Sequence, residues 1–146
     1  MARKYKKVVA WQRAHELTLA IYKLTRSFPD DERFGMTSQL RRSAYSVAAN
    51  IVEGTGRETN KDYLRFLIIS RASLKEVEYF LLLGHDLSYM NEVDYNRLAS
   101  SVNDTMRPLS GLIKAIEKET GVFGRIQATF VAAATLALAT ASSPFT

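Results

Sequence analysis

The side chains able to do covalent or acid–base chemistry are few. The chain contains no cysteine and two histidines, which removes disulfides, thiolate zinc ligation and cysteine nucleophiles. His15 stands next to Glu16 and His85 next to Asp86. Successive residues on a helix point in different directions, so neither pair is a ready dyad, and two histidines make a poor metal site. Gly54-Thr55-Gly56-Arg57 resembles a phosphate loop in outline, but it follows a helical segment and lacks the Lys-Ser/Thr ending. It reads as a helix–helix turn. Asn50 and Glu53 lie beside a small, apolar helix face. Asn50 is expected to bond backbone groups of the following turn, and Glu53 to pair with Arg42 or Arg57, forming a polar knot that fixes a corner. Glu53 has no companion acid, nucleophile or metal set, so the reading is of a chain without catalytic residues, cofactor or metal, and not an enzyme.

Basic side chains offer more. Residues 1–7 carry Arg3, Lys4, Lys6 and Lys7 with Tyr5 among them and no acid. Arg41, Arg42, Arg57 and the i,i+4 pair Lys61 and Arg65 extend the basic character along the chain. Together these residues form the candidate nucleic-acid-binding set. Phosphate contacts of this kind give affinity without sequence choice and weaken steeply with salt. No helix-turn-helix, zinc finger or RNP aromatic pattern is present to read bases. The formal net charge is +5, yet residues 8–121 sum to zero, with 33–75 at +5 and 76–121 at −4. Such segregation suits either a polyanion on one face or a basic face of one subunit meeting an acidic face of another.

Four helices are needed to position these groups, because four segments repeat apolar residues at helical spacing and none alternates like a strand. In the first, Ala10, Ala14, Leu17, Ile21, Leu24 and Phe28 form one stripe that Pro29 stops. The second starts near Thr37 with Leu40, Ala44, Val47 and Ile51 as its seam, and Gly54 is expected to end it in the left-handed conformation. The third opens at Thr59 or Asn60, with Asp62 completing a variant capping box. Tyr63, Leu67, Ser70, Leu74, Val77 and Leu81 form its stripe, which Phe66, Ile69, Ser73 and Phe80 widen. That width suggests burial on two sides, by the bundle and by another subunit. Asn91 caps the fourth, whose seam is Tyr95, Leu98, Val102, Thr105, Leu109, Leu112 and Ile116, with a kink expected at Pro108 and an end at Gly121.

At 146 residues, with 47% hydrophobic and 24% charged side chains, the chain has the size and composition of one folded domain. The economical architecture is all-α, an up-down four-helix bundle over residues 8–121, preceded by the basic arm 1–7. Residues 122–146 form an Ala/Thr-rich tail with one charge, read as helical or disordered. The chain has no apolar run of spanning length and no signal-peptide h-region, so a cytoplasmic location without membrane contact is expected.

One further pattern stands in the middle of the chain: Gln39-Leu40-Arg41-Arg42-Ser43-Ala44, then Ser46-Val47, Asn50-Ile51, Glu53-Gly54 and Gly56-Arg57. It continues with Phe66-Leu67, Ser70, Ser73-Leu74-Lys75-Glu76, Leu81 and Asp86-Leu87-Ser88-Tyr89-Met90. This resembles the bacterial four-helix bundle family of 23S rRNA intervening-sequence proteins, which includes the accessory variability determinant proteins of diversity-generating retroelements, over about residues 8–119. The resemblance implies a protomer that assembles into a homopentameric ring. In the retroelement branch it implies a basic ring that binds RNA and a reverse transcriptase. Arg41, Arg42 and Arg57 match the family's basic positions; Asn50, Glu53 and Gly54 match its structural corner. The expected function is a non-enzymatic homo-oligomeric adaptor for RNA, with a scaffold that binds only protein as the alternative.

Overall fold

The computed structural model describes residues 4–121; Arg3 and the 122–146 tail lie outside the described residues. A 3-10 turn at Lys4–Lys7 leads into α1 (Val9–Leu24), followed by short 3-10 turns at Thr25–Ser27 and Asp30–Glu32, then α2 (Met36–Thr55), α3 (Asn60–Asp86) and α4 (Glu92–Thr120). Consecutive helices pack side by side, and α1 closes the arrangement against α4. The connections are short, so neighbours run antiparallel: an all-α, up-down four-helix bundle.

The stripes read from spacing form the core, except that Tyr63, Phe66, Phe80 and Tyr95 are half-buried and Ile69, expected to widen the α3 stripe, is exposed. Ala14, Leu17 and Ile21 of α1 meet Leu40, Val47 and Ile51 of α2, Leu67, Leu74, Val77 and Leu81 of α3, and Leu98 and Leu109 of α4 in one core. Ile113 is also fully buried, while Leu112, expected in the seam, is half-buried. α4 runs through Pro108 as one continuous helix. It ends at Gly121, whose φ of 64° is the left-handed conformation that glycine adopts without steric cost.

The helix starts follow local chemistry. The Thr59 hydroxyl accepts the Asp62 backbone N–H at 3.1 Å, and Asn91 Oδ1 accepts that of Asp94 at 2.7 Å; each satisfies one of the donors left free at a helix start. α2 starts differently: its first N–H, from Met36, donates 2.7 Å to Glu32 Oε2 in the preceding connection. Glu32 Oε1 in turn accepts the Tyr89 hydroxyl at 3.3 Å, so one carboxylate ties the α1–α2 connection to the α3–α4 connection.

Gly54 does not end α2. The helix continues to Thr55 and closes on Gly56, whose φ of −89° is not left-handed. Gly54 is instead buried in the last turn, where a Cβ would sit 2.6 Å from Tyr63 Cδ2 and 3.2 Å from Phe66 Cβ. It is glycine because α3 passes too close for a side chain. The left-handed residue appears elsewhere, at Ser88 (φ 61°). There the Ser88 N–H donates to the His85 carbonyl and the Tyr89 N–H to that of Gly84, at 2.9 and 2.8 Å, the double bond pattern of a Schellman motif.

Candidate functional site

The α2–α3 corner is built from the polar residues singled out in the sequence; Glu53 finds one of its two expected partners and Asn50 a different one. Asn50 Nδ2 reaches back to the Ser46 carbonyl at 2.8 Å and to Ser46 Oγ at 3.0 Å, rather than forward to the next turn. Ser46 Oγ lies 2.9 Å from Ser73 Oγ, and Ser43 Oγ donates to Glu76 Oε2 at 3.0 Å. Ser70, fully buried, donates 2.8 Å to the Val47 carbonyl. These bonds stitch α2 to α3 through small side chains that let the two backbones approach. Glu53 pairs with Arg57, not Arg42. Arg57 also lies over the Phe66 ring, 4.6 Å from its centroid.

The antiparallel order divides the basic candidates between the two ends of the bundle. The Lys4–Lys7 turn packs against both α1 and α2. It is held by Gln12 Nε2 donating 2.8 Å to the Lys6 carbonyl and by Tyr5 set edge-on to Trp11 at 4.9 Å. What reads as an arm is thus, from Lys4 on, an ordered turn. It lies at the end where α2 finishes and α3 begins, so Lys4, Lys6 and Lys7 share that end with Arg57, Lys61 and Arg65. Lys61 and Arg65 are exposed and, among the described residues, form no ion pair. Asn60 Nδ2 donates 2.8 Å to Glu119 Oε2, which brings the end of α4 to the same place.

Arg41 and Arg42 lie fifteen residues earlier on α2 than the corner, about 22 Å along its axis at 1.5 Å per residue. They belong to the opposite half. Arg41 is committed to α1: its Nε donates 2.7 Å to Thr25 Oγ1, which donates on to the Ile21 carbonyl at 2.8 Å, and its guanidinium covers the Tyr22 ring at 4.7 Å. A cation at the carbonyl end of a helix is favourable. Arg42 is exposed and makes no ion pair among the described residues. Both line an open groove of 580 Å³ between α1 and α2, with Tyr22, Arg33, Phe34, Thr37, Ser38 and Tyr45. The sequence reading missed Arg33, Phe34, Tyr22 and Tyr45, which belong to no seam. The signal available was their absence from one.

Both histidines stack on aromatic rings. His15 lies flat on Trp11, with centroids 5.0 Å apart, and His85 on Tyr95 at 4.5 Å. His85 Nδ1 also comes within 3.5 Å of Asp86 Oδ1 despite their adjacency. Among the described residues no group of three or more His, Cys, Asp or Glu side chains is placed to hold a metal. No helix among them is long and apolar enough to cross a membrane. Burial raises the Tyr63 hydroxyl above its usual pKa near 10. Tyr89 is raised by desolvation first, then by the charge and hydrogen bond of Glu32 and the charge of Asp31.

Compared with known families, residues 6–111 match the 23S rRNA-intervening sequence protein family. The chain belongs to that family. Among solved structures, this intervening-sequence protein is similar to a crystal structure of a protein with unknown function from the S23 ribosomal protein family of Bacteroides thetaiotaomicron. The TM-score is 0.68 at 25% identity, and the match covers 73% of this chain and 96% of the other. No curated protein matches it.

Proposed function

We propose that this intervening-sequence protein is a non-enzymatic adaptor that assembles from like subunits, by resemblance a pentamer, and holds RNA through its basic turn and the adjoining α2–α3 corner. One observation carries the reading: Lys4, Lys6, Lys7, Lys61 and Arg65 are exposed, gathered at one end of the bundle and, among the described residues, without ion pairs. Such a cluster attracts phosphates and supplies no means of reading bases. By the resemblance to the retroelement branch, a reverse transcriptase is the protein partner that such an adaptor would assist.

A second reading, a scaffold that binds only protein, draws on α3. Ile68, Ile69, Tyr79 and Leu82 are exposed along its outer side, an apolar stripe suited to contact with another subunit or protein. Light-scattering mass of the full chain, alone and with a structured RNA at low and moderate salt, separates the two. An assembly of about five subunits that takes up RNA in a salt-sensitive way supports the adaptor. The same assembly ignoring RNA at low salt supports the scaffold, and a monomer refutes the ring. Removal of residues 1–7 is expected to abolish RNA retention in the first case and to leave protein binding intact in the second.

A further inference from the structure

The basic turn and corner account for one end of the molecule and leave the α1–α2 groove unused. Three arginines line it, Arg33, Arg41 and Arg42, and no acid does. Asp30 and Asp31 stand on the same connection but outside the groove. Aromatic rings sit among the arginines. Phe34 is 88% exposed and Tyr45 48%. The Arg33 guanidinium lies 5.5 Å from the Phe34 centroid, and Arg41 braces Tyr22.

An exposed phenylalanine on a rigid bundle gains nothing from water. Phosphates alone would need only the arginines, and a run of carboxylates alone would leave the rings without partners. Unstacked nucleobases use both, because a base has a π face for the ring while its phosphate meets a guanidinium. At 580 Å³ the groove is of ligand-pocket size. A duplex, whose bases are already stacked, offers the rings no free base face.

We infer that the α1–α2 groove is a single-strand nucleic-acid site, in which Phe34 and Tyr45 stack bases and Arg33 and Arg42 hold the adjacent phosphates, with Arg41 fixing the wall. The inference rests on the reading of the protein as an RNA adaptor and deepens it: unpaired RNA is gripped at this groove, while the basic turn holds any RNA backbone.

The test is fluorescence anisotropy on the full chain with a labelled single-stranded RNA of about ten nucleotides, within the usual range of single-strand site sizes, and with a duplex of the same length. Phe34→Ala and Tyr45→Ala are expected to weaken single-strand binding about tenfold each and to leave duplex binding unchanged. Both residues are exposed, so their loss does not threaten the core. Arg42→Ala is expected to weaken the single strand and lower its salt dependence. If both aromatic variants bind single strands like the unaltered chain, while substitution of Lys4, Lys6 and Lys7 abolishes RNA binding, the groove is overturned and the adaptor reading stands. If neither RNA binds the unaltered chain at low salt, both fall. A polyglutamate peptide that competes with single-stranded RNA no better than free glutamate supports the assignment; one that binds the groove when RNA does not overturns it in favour of a protein partner.

Discussion

At the scale of single residues, Gly54 and Ser88 are out of place in opposite senses. Gly54 occupies a helical position where alanine has the better propensity by about 1 kcal/mol, yet the Tyr63 ring fills the space a Cβ needs. Gly54→Ala is therefore expected to destabilise the protein by about 1–3 kcal/mol, the usual cost of overpacking, as read by urea denaturation. Adding Tyr63→Leu should recover part of the loss, because the clash is with the ring; purely additive losses would show that the ring is not the cause. Ser88 holds a left-handed conformation that costs a residue with a Cβ about 1–2 kcal/mol in a motif where glycine is usual. Ser88→Gly is expected to raise the denaturation midpoint without changing the slope, a stabilisation of about 1 kcal/mol.

At the scale of elements, the caps and the corner bonds set where each helix begins and how far it extends. Asn91→Ala is expected to cost about 1 kcal/mol and to show as faster amide exchange in the first turn of α4. The Tyr89–Glu32 bond joins two connections and makes stability depend on pH at the alkaline end. The folded state holds the Tyr89 proton more tightly than the unfolded chain does. The contribution is thus fully present below the ordinary tyrosine pKa near 10 and is lost as pH rises through the higher folded value. Tyr89→Phe is expected to flatten that alkaline decline in thermal melting followed from neutral to high pH; an unchanged decline would show that other groups carry it. Spacing made the core legible: Ala14, Leu17 and Ile21, or Leu67, Leu74 and Leu81, recur as one face of a helix must. It misplaced Gly54 because a glycine near a helix end serves equally as a terminator or as a point of close approach, and only the path of α3 distinguishes them. It chose Leu112 over Ile113 because, on this long helix, the adjacent apolar pair offers two registers to the seam. The corner was legible as polar and small, but not its partners, since Asn50 turning back to Ser46 depends on Ser73 across the interface. The groove was invisible because Arg33 and Phe34 lie in a connection without periodicity, and the fold alone carries them to Arg42 and Tyr45.

Over the whole molecule, charge is distributed along the bundle axis. The end formed by the start of α1, the α2–α3 corner and the end of α4 carries Lys4, Lys6, Lys7, Arg57, Lys61, Arg65, Lys114 and Lys118 against Glu53, Glu58, Asp62, Glu117 and Glu119. The other end is balanced, with Asp30, Asp31, Glu32, Asp86, Glu92 and Asp94 against Lys23, Arg26, Arg33, Arg41, Arg42 and Arg97. A near-neutral bundle thus presents a basic end to a polyanion. Replacing Lys4, Lys6 and Lys7 together with glutamine is expected to weaken binding to all single-stranded RNAs alike and to reduce the slope of log K against log salt by about 2. A sequence-selective loss would mean that the turn reads bases.

The packing of the N-terminal turn has a practical consequence. Trp11 is the one tryptophan of the chain, and it stands between Tyr5 at 4.9 Å and His15 at 5.0 Å. The indole therefore stands where the lysine-bearing turn joins the bundle. Anything that lifts the turn from α1 changes the ring on one side of it, while the imidazole remains on the other. Intrinsic emission excited at the indole band would then register the docking state of the turn directly, so the protein supplies its own unlabelled optical signal for engagement at the basic end.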